Sequence, residues 1–435
     1  MTTPHLQKSL GPMHLWGLAV GLVISGEYFG WSYGWGKAGT LGFLAATVVV
    51  AILYTTFIFS FTELTTALPS AGGPFTYAHH AFGPWGGFVA GYATLVEFVF
   101  APPAIAFAVG KYVTVVFPTL PAAWIAAGAV VAFGALNLLG VKQSARFELA
   151  VTLLAVCELC LFMGVTAPHF STDNFLRDGW MGGAPGIFAA LPFAIWFFLG
   201  IEGVAMASEE VVNPNRDLPR GYISGILTLV VLALGVMLAA GGVGDWKSLS
   251  EIDFPIPRAV QMALGDDNPW NKAFAGIGVF GLIASLNGIV IGASRQLFAV
   301  ARAGLLPHAL TAVNRHHAPH IAVLVTTAIG LLSIVTGTTD QVITLSAIGA
   351  VLMYLVSMAA LFQLRKKDPN LVRPFRAPVY PLFPAVALLL SAVCLIAMVY
   401  YNLMLSGLFL GLMAACAVYF RQRGLQRLHD DEGMA

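Results

Sequence analysis

The sequence predicts an all-α polytopic membrane protein of about twelve transmembrane helices. Three observations carry that expectation. Of 435 residues, 58% are hydrophobic and 10% charged, against about 25% charged in a soluble globular chain. Apolar runs recur at the roughly 20 residues that a hydrocarbon core of about 30 Å demands of a helix. Glycine and glutamate interrupt two of those runs in mid-membrane, at Gly26-Glu27 and from Gly200 to Glu202.

In order, the apolar segments are 14–36, 40–67, 84–110, 121–140, 145–166, 186–209, 219–241, 271–300, 320–336, 340–363, 379–400 and 402–420. The second and eighth exceed one span and are expected to be long or tilted. No cleavable leader is expected, because the first run, His14 to Trp35, is too long for a signal-peptide core. No soluble segment is long enough to fold alone, and no GxxxxGK[ST] phosphate loop is present. The net charge of +1 argues against a nucleic-acid partner. Cys157, Cys160, Cys394 and Cys416 fall inside apolar segments and read as small core residues. His79, His80, His316, His317 and His320 lack a Cys or carboxylate at helical ligand spacing, so no metal site is expected.

Lysine and arginine set the orientation. With the N-terminus inside, sixteen of the 22 basic residues fall on the inner side, from Lys8, Lys142 and Arg146 to Arg421, Arg423 and Arg427. Six, including Lys37, Lys111 and Arg258, fall outside. Both ends are therefore placed in the cytoplasm, as an N-tail over 1–13 and a C-tail over 421–435. In the long outer loop, 242–270, the stretch Ile256 to Leu264 admits two readings: a short amphipathic helix over the outer mouth, or a solvated connector.

The interruptions, Ile24 to Gly30 in the first helix and Phe198 to Gly203 in the sixth, combine two costs. Glycine costs about 1 kcal/mol in a helix interior, and a charge at the bilayer centre at least about 2.5 kcal/mol. Broken helices at matching places in two halves point to a midplane binding site between inverted repeats. The competing reading is that the glycines only allow close helix packing; glutamate beside each fits that poorly.

At this point the residues resemble a known family. Ser25-Gly26-Glu27-Tyr28-Phe29-Gly30-Trp31, Leu68 to Phe75, Gly200-Ile201-Glu202-Gly203 with Glu209 to Arg220, and Arg295 to Pro307 are similar to motifs of the amino acid–polyamine–organocation superfamily, and within it to the ethanolamine permease branch. The resemblance implies a leucine-transporter-like five-plus-five inverted repeat, over 14–166 and 186–363, with two extra helices at 379–420. It also implies alternating access and, often, proton coupling. Amino-acid carriers of the superfamily carry Gly-x-Gly at the first break, where bare amides hold the substrate carboxylate. Here Ile24 stands in place of the first glycine and Glu27 follows Gly26 directly. A carboxylate on Glu27 competes for the N-terminal amides of a half-helix, so either Glu27 is protonated or the substrate is a cation without a carboxylate.

Glu97 and Glu158 also lie deep, each thirteen residues into its helix, or roughly 20 Å at about 1.5 Å per residue. Without a basic residue at that depth, these acids suit a cationic substrate, a transferable proton, or both. The expected binding set is Ser25, Gly26, Glu27, Tyr28, Glu97, Trp196, Phe198, Gly200, Ile201, Glu202, Ser285 and Asn287. Proton-coupling candidates are Glu202, Glu158 and Glu97, with Glu202 ranked first because the resemblance links that acid to gating or protonation. Glu158 is as well read as a hydrogen-bonded structural acid. Tyr28, Phe29, Trp31, Phe100, Trp196, Phe197 and Phe198 offer ring faces to a cation or simply packing. Ser285 and Asn287 serve a substrate hydroxyl or act as glue between helices. Glu63 reads as a solvated or salt-bridged helix end, and Glu209 and Glu210 as partners of inner-loop arginines.

The expectation is a secondary transporter in a bacterial-type inner membrane, importing a small amine such as ethanolamine with protons and without a cofactor. The first alternative is a proton-coupled amino-acid permease. The second is a non-transporting membrane receptor or enzyme, against which stands the lack of a nucleophile–base motif or soluble sensor domain.

Overall fold

The computed structural model describes residues 8–139, 145–316 and 318–424. Lys142, His317, Arg427, most of the two tails and the side chains of Arg146 and Arg423 lie outside the described residues. Among the described residues the regular secondary structure is helical, apart from one isolated backbone bridge between Leu10 and Val211.

Among the described residues nine helices are long and apolar enough to cross a membrane, and three shorter apolar ones, Pro12–Val23, Ala122–Leu138 and His320–Thr336, fill the remaining places of the twelve segments. Proline at the first turn, whose missing N–H would be unpaired there anyway, opens the helices at Pro12, Pro84, Pro214 and Pro255. The first helix consists of Pro12–Val23, the turn Ser25–Tyr28, and an outer half that begins at Ser32. No loop separates it from the second. Helix runs from Ser32 to Ala67 with a single non-helical residue, Gly39, at the bend. The third is Pro84–Val116, the fourth Ala122–Leu138, the fifth Ala145–Thr166. The sixth begins as Gly183–Trp196, and the seventh is Pro214–Gly242. Trp270–Arg302, His320–Thr336, Thr339–Lys367, Leu382–Tyr401 and Leu403–Tyr419 are the eighth to twelfth.

The first helix packs on the seventh and fifth, the third on the eighth and tenth, and the sixth on the second. Apolar side chains left outside, such as Val231 (67% exposed), Val335 (83%) and Ile396 (70%), form the face that hydrocarbon must cover. Cys157 and Cys160 belong to that outer face rather than to the core, whereas Cys394 is buried.

Among the short helices outside the spans are two of nine and ten residues. Pro74–Phe82 follows the second helix. Pro255–Leu264 forms in the long loop between the seventh and eighth helices, so of the two readings of that stretch the helix is the one found, with Pro255, Ile256, Ala259 and Val260 on its buried side.

The C-terminal end of the second helix is closed by a buried ion cluster. Glu63, 1% exposed, accepts from Arg365 Nε at 2.8 Å and Nη2 at 2.5 Å, and from the Ala377 amide at 2.7 Å. Arg373 Nε stands 3.3 Å away. Glu63 is therefore salt-bridged, as one reading had it, but not solvated. Glu209 departs from expectation: it accepts the Ala71 amide at 2.9 Å, and neither it nor Glu210 forms an ion pair among the described residues. A backbone donor lies closer to it than any arginine does among the described residues.

Candidate functional site

The first interruption opens later than the sequence indicates. Ile24 keeps helical angles (φ −57°, ψ −22°), and the neighbouring amides bond within the chain: Ile24 N–H to Val20 O at 2.8 Å, Glu27 N–H to Ile24 O at 3.0 Å and Phe29 N–H to Ser25 O at 3.3 Å. The chain leaves the helix at Phe29 (φ −159°, ψ 174°) and at Gly30 (φ 89°). That left-handed value suits only a residue without Cβ. In the sixth helix the break centres on Gly200 (φ 101°). Beyond it Ile201–Glu210 is a 3₁₀-helix rather than the α-helix expected. Such runs rarely exceed a few residues, and longer ones mark hinges or strained stretches.

The two breaks touch. Gly26 sits so close to the sixth helix that an added Cβ would lie 3.2 Å from Phe197 Cα, and nearer still to the Trp196 carbonyl oxygen. Gly30 borders the Trp196 indole. Phe29 meets that indole edge-on at 5.4 Å, Phe197 stacks on Trp31 at 6.1 Å and Phe198 lies 5.1 Å from Tyr54. Trp196 Nε1 is buried with no acceptor.

Around this contact lie the acids. Glu27, Glu97 and Glu202 are 0% exposed and Glu158 is 3% exposed. Glu97, from the third helix, and Glu202, from the sixth, adjoin each other, and the Gly200 amide faces both carboxyls. Neither oxygen of Glu27 or Glu97, nor Glu202 Oε1, has a hydrogen-bond partner of good geometry. Glu202 Oε2 accepts from Tyr354 at 3.2 Å. Among the described residues no Lys, Arg or His pairs with any of the four acids. Buried carboxylates without partners are costly, so the arrangement calls for protons on the carboxyls, a positive charge from elsewhere, or both.

Other expected residues divide. Ser285 donates to Leu22 O at 2.8 Å and lies 2.9 Å from Ser25 Oγ, which ties the eighth helix to the first just before its break. Asn287, two residues on and so about 200° around the helix, is half-buried and makes no hydrogen bond with the site. Glu158 stands apart from the acid pair. Its Oε2 accepts from Tyr28 at 2.7 Å, while Tyr112 donates to the Tyr28 carbonyl at 2.7 Å. Phe100 joins no ring contact of the cluster.

Several contributors escape a reading of the sequence. Tyr354 holds Glu202, and Tyr54 meets Tyr354 hydroxyl to hydroxyl at 2.8 Å. Ser346 donates to the Glu97 carbonyl at 2.6 Å, and Tyr222 to that of Glu202 at 3.3 Å. Their one signal is a polar atom in mid-helix of an apolar run, too common to single them out.

A family model described as amino acid permease matches residues 10–418. The chain belongs to the amino acid permease family. An uncharacterized transporter of Rhizobium meliloti is 32% identical, over 89% of this chain and 85% of its own length. A branched-chain amino acid permease of Bacillus subtilis is 27% identical, over 88% and 86%. A methylthioribose transporter of the same organism is 26% identical, over 83% and 80%. This places the permease in the superfamily that its motifs resemble. It is a multi-pass membrane transporter of a small molecule, and both breaks of the permease fall within the matched span.

Proposed function

We propose that this permease imports a small primary amine, ethanolamine being the substrate that best suits the site, by alternating access coupled to protons. The observation that carries the reading is the set Glu27, Glu97 and Glu202: fully buried, with no cationic side chain paired to them among the described residues, and with only Tyr354 on Glu202 and the Gly200 amide beside Glu97 and Glu202 as donors from outside the acid pair. An ammonium group fits there on charge, and Phe29 and Trp196, whose rings meet at 5.4 Å, belong to the two breaks that carry Glu27 and Glu202 and offer ring faces to a cation. A substrate carboxylate finds less. The amides from Ile24 to Phe29 that bind internally are not free to receive one, and Glu27 repels it. In this reading Glu202, Glu97 and Glu158 are the groups that carry the proton. The two five-helix repeats span 14–166 and 186–363, and the N-terminal face, with its excess of Lys and Arg, is the cytoplasmic face of a bacterial-type inner membrane.

The second reading is a proton-coupled amino-acid permease with Glu27 protonated. The name of the branched-chain relative favours it. Uptake of labelled ethanolamine into proteoliposomes under an imposed pH gradient separates the two. Gradient-driven uptake blocked by unlabelled ethanolamine but not by alanine or leucine supports the amine. Block by the amino acids, or their uptake in place of ethanolamine, moves the assignment to the second reading.

A further inference from the structure

Acceptors for a ligand are plentiful where the two breaks meet, but the fold uses up nearly every side-chain donor. Ser285, which the sequence offers to a substrate hydroxyl, donates to Leu22 O at 2.8 Å and lies 2.9 Å from Ser25 Oγ. Asn287 sits about 200° around the same helix and makes no bond with the site. Trp31 Nε1 donates to Glu27 O at 3.0 Å, and the Tyr28 hydroxyl to Glu158 Oε2 at 2.7 Å. Tyr54 and Tyr354 meet hydroxyl to hydroxyl, and Tyr354 reaches Glu202. Among these described residues one side-chain donor at the breaks is left over: Trp196 Nε1, on a side chain 3% exposed, has no acceptor.

The surroundings of that indole are specific. Its Nε1 edge rests on Gly30, where an added Cβ would meet Nε1 at 2.7 Å and Ile343 Cδ1 at 2.9 Å. Gly30 therefore serves twice: it adopts φ 89°, and it brings no side chain against the N–H. Phe29 meets the ring edge-on at 5.4 Å and fixes its tilt. A buried indole that served packing alone would ordinarily have its N–H bonded to the protein. Glu27 comes from the break that abuts Trp196 through Gly26, and Glu202 follows Trp196 in the same broken helix.

We propose that the Trp196 indole N–H receives the hydroxyl oxygen of the substrate, so that the site selects a short amino alcohol over an alkylamine of the same length. The inference rests on the amine reading above and narrows it. The ammonium group donates to carboxyl oxygens of the buried acids, and the hydroxyl, two carbons away, accepts from Trp196. An alkylamine leaves that buried donor bare, and a site built to bond a hydroxyl discriminates strongly against a ligand without one. A diamine sets a second cation against a group that can only donate.

Propylamine tests this, because it replaces the hydroxyl by methyl and alters neither charge nor length. The measurement is the concentration at which each amine half-maximally raises the melting temperature of the purified protein. Ethanolamine should act at a concentration about tenfold or more below propylamine. Trp196→Phe keeps an aromatic face and removes the N–H, so its ratio should fall to within about threefold of parity. Should Trp196→Phe fail to melt cooperatively, benzothienylalanine incorporated at position 196 replaces it. That side chain keeps the indole shape with sulfur in place of N–H, and no protein acceptor is lost. A wild-type ratio near parity overturns the inference. So does a tenfold ratio that survives loss of the N–H, since the hydroxyl would then bond elsewhere and Trp196 would offer a ring face alone. Stabilisation by leucine and not by ethanolamine overturns the amine reading itself, and the inference with it.

Discussion

Glu202 is held on one side only. Tyr354 occupies Oε2, while Oε1 is left beside Glu97 and the Gly200 amide. Replacing it by glutamine keeps the shape and the bond from Tyr354 but removes the exchangeable proton. Glu202→Gln should therefore cut gradient-driven accumulation at least tenfold while counterflow exchange of the same substrate persists; equal loss of both would remove Glu202 from coupling. Glu27→Gln tests the binding role. A hydrogen bond to a charged group contributes about 1.5–3 kcal/mol, so its loss should raise the half-saturating amine concentration by about tenfold or more. An unchanged value would take Glu27 out of the site. These acids were legible in the sequence because a carboxylate inside an apolar run is itself a signal. The pairing of Glu97 with Glu202 was not, since nothing in either helix records which face meets the other. Asn287 illustrates the converse: depth can be counted along a helix, but facing depends on which neighbours it packs against.

Among elements, the broken helices followed the sequence in place but not in detail. Glycine marked both interruptions, yet the first opens at Phe29–Trp31, because Ile24, Glu27 and Phe29 still bond their amides to the carbonyls of Val20, Ile24 and Ser25. The 3₁₀ geometry of Ile201–Glu210 carries no compositional mark, because the same residues make an acceptable α-helix. Close approach at Gly26 gives this level its test. Gly26→Ala sets a methyl against the Trp196 carbonyl and Phe197 Cα, backbone atoms that cannot step aside. The variant should insert and purify normally but transport more than tenfold more slowly; wild-type rates would mean that the two breaks separate more easily than their contact implies. The Glu63 cluster makes a different prediction. Removal of one partner of a buried ion pair costs about 3–5 kcal/mol because the other charges stay buried. Glu63→Ala, which strands Arg365 and Arg373, should therefore lower the apparent melting temperature in detergent clearly, whereas alanine at exposed Asp267 should not.

At the scale of the whole molecule, Glu27, Glu97 and Glu202 are fully buried, and the loop between the seventh and eighth helices lies as a lid against the outer half of the first helix. That loop is pinned to the outer half of the first helix. Ser32 donates to Ile252 O at 2.9 Å, Tyr33 donates to Asp253 Oδ1 at 2.8 Å and Lys37 approaches Glu251 at 3.8 Å. Burial pushes the Asp253 carboxyl above the usual aspartate range. Hydrogen bonds from Tyr33 and Thr339 and the charge of Lys111 pull it back, and Asp340 raises it further. When the lid lifts, Asp253 regains water and an ordinary value, so the closed state binds more protons than the open one. By linkage, lowering the pH through the interval between the ordinary and the raised value favours closure, and above that interval the buried charge opposes it. The check is a cysteine at Ser32, beneath the lid, in detergent and in the background without native cysteines. Its reaction rate with a thiol reagent, taken as a ratio to that of an exposed cysteine at Asp267, should fall as the solution is acidified toward the carboxylate range. Asp253→Asn, neutral at every pH and able to accept from Tyr33, should flatten the ratio. A slope that survives this substitution would assign the pH response to a group other than Asp253.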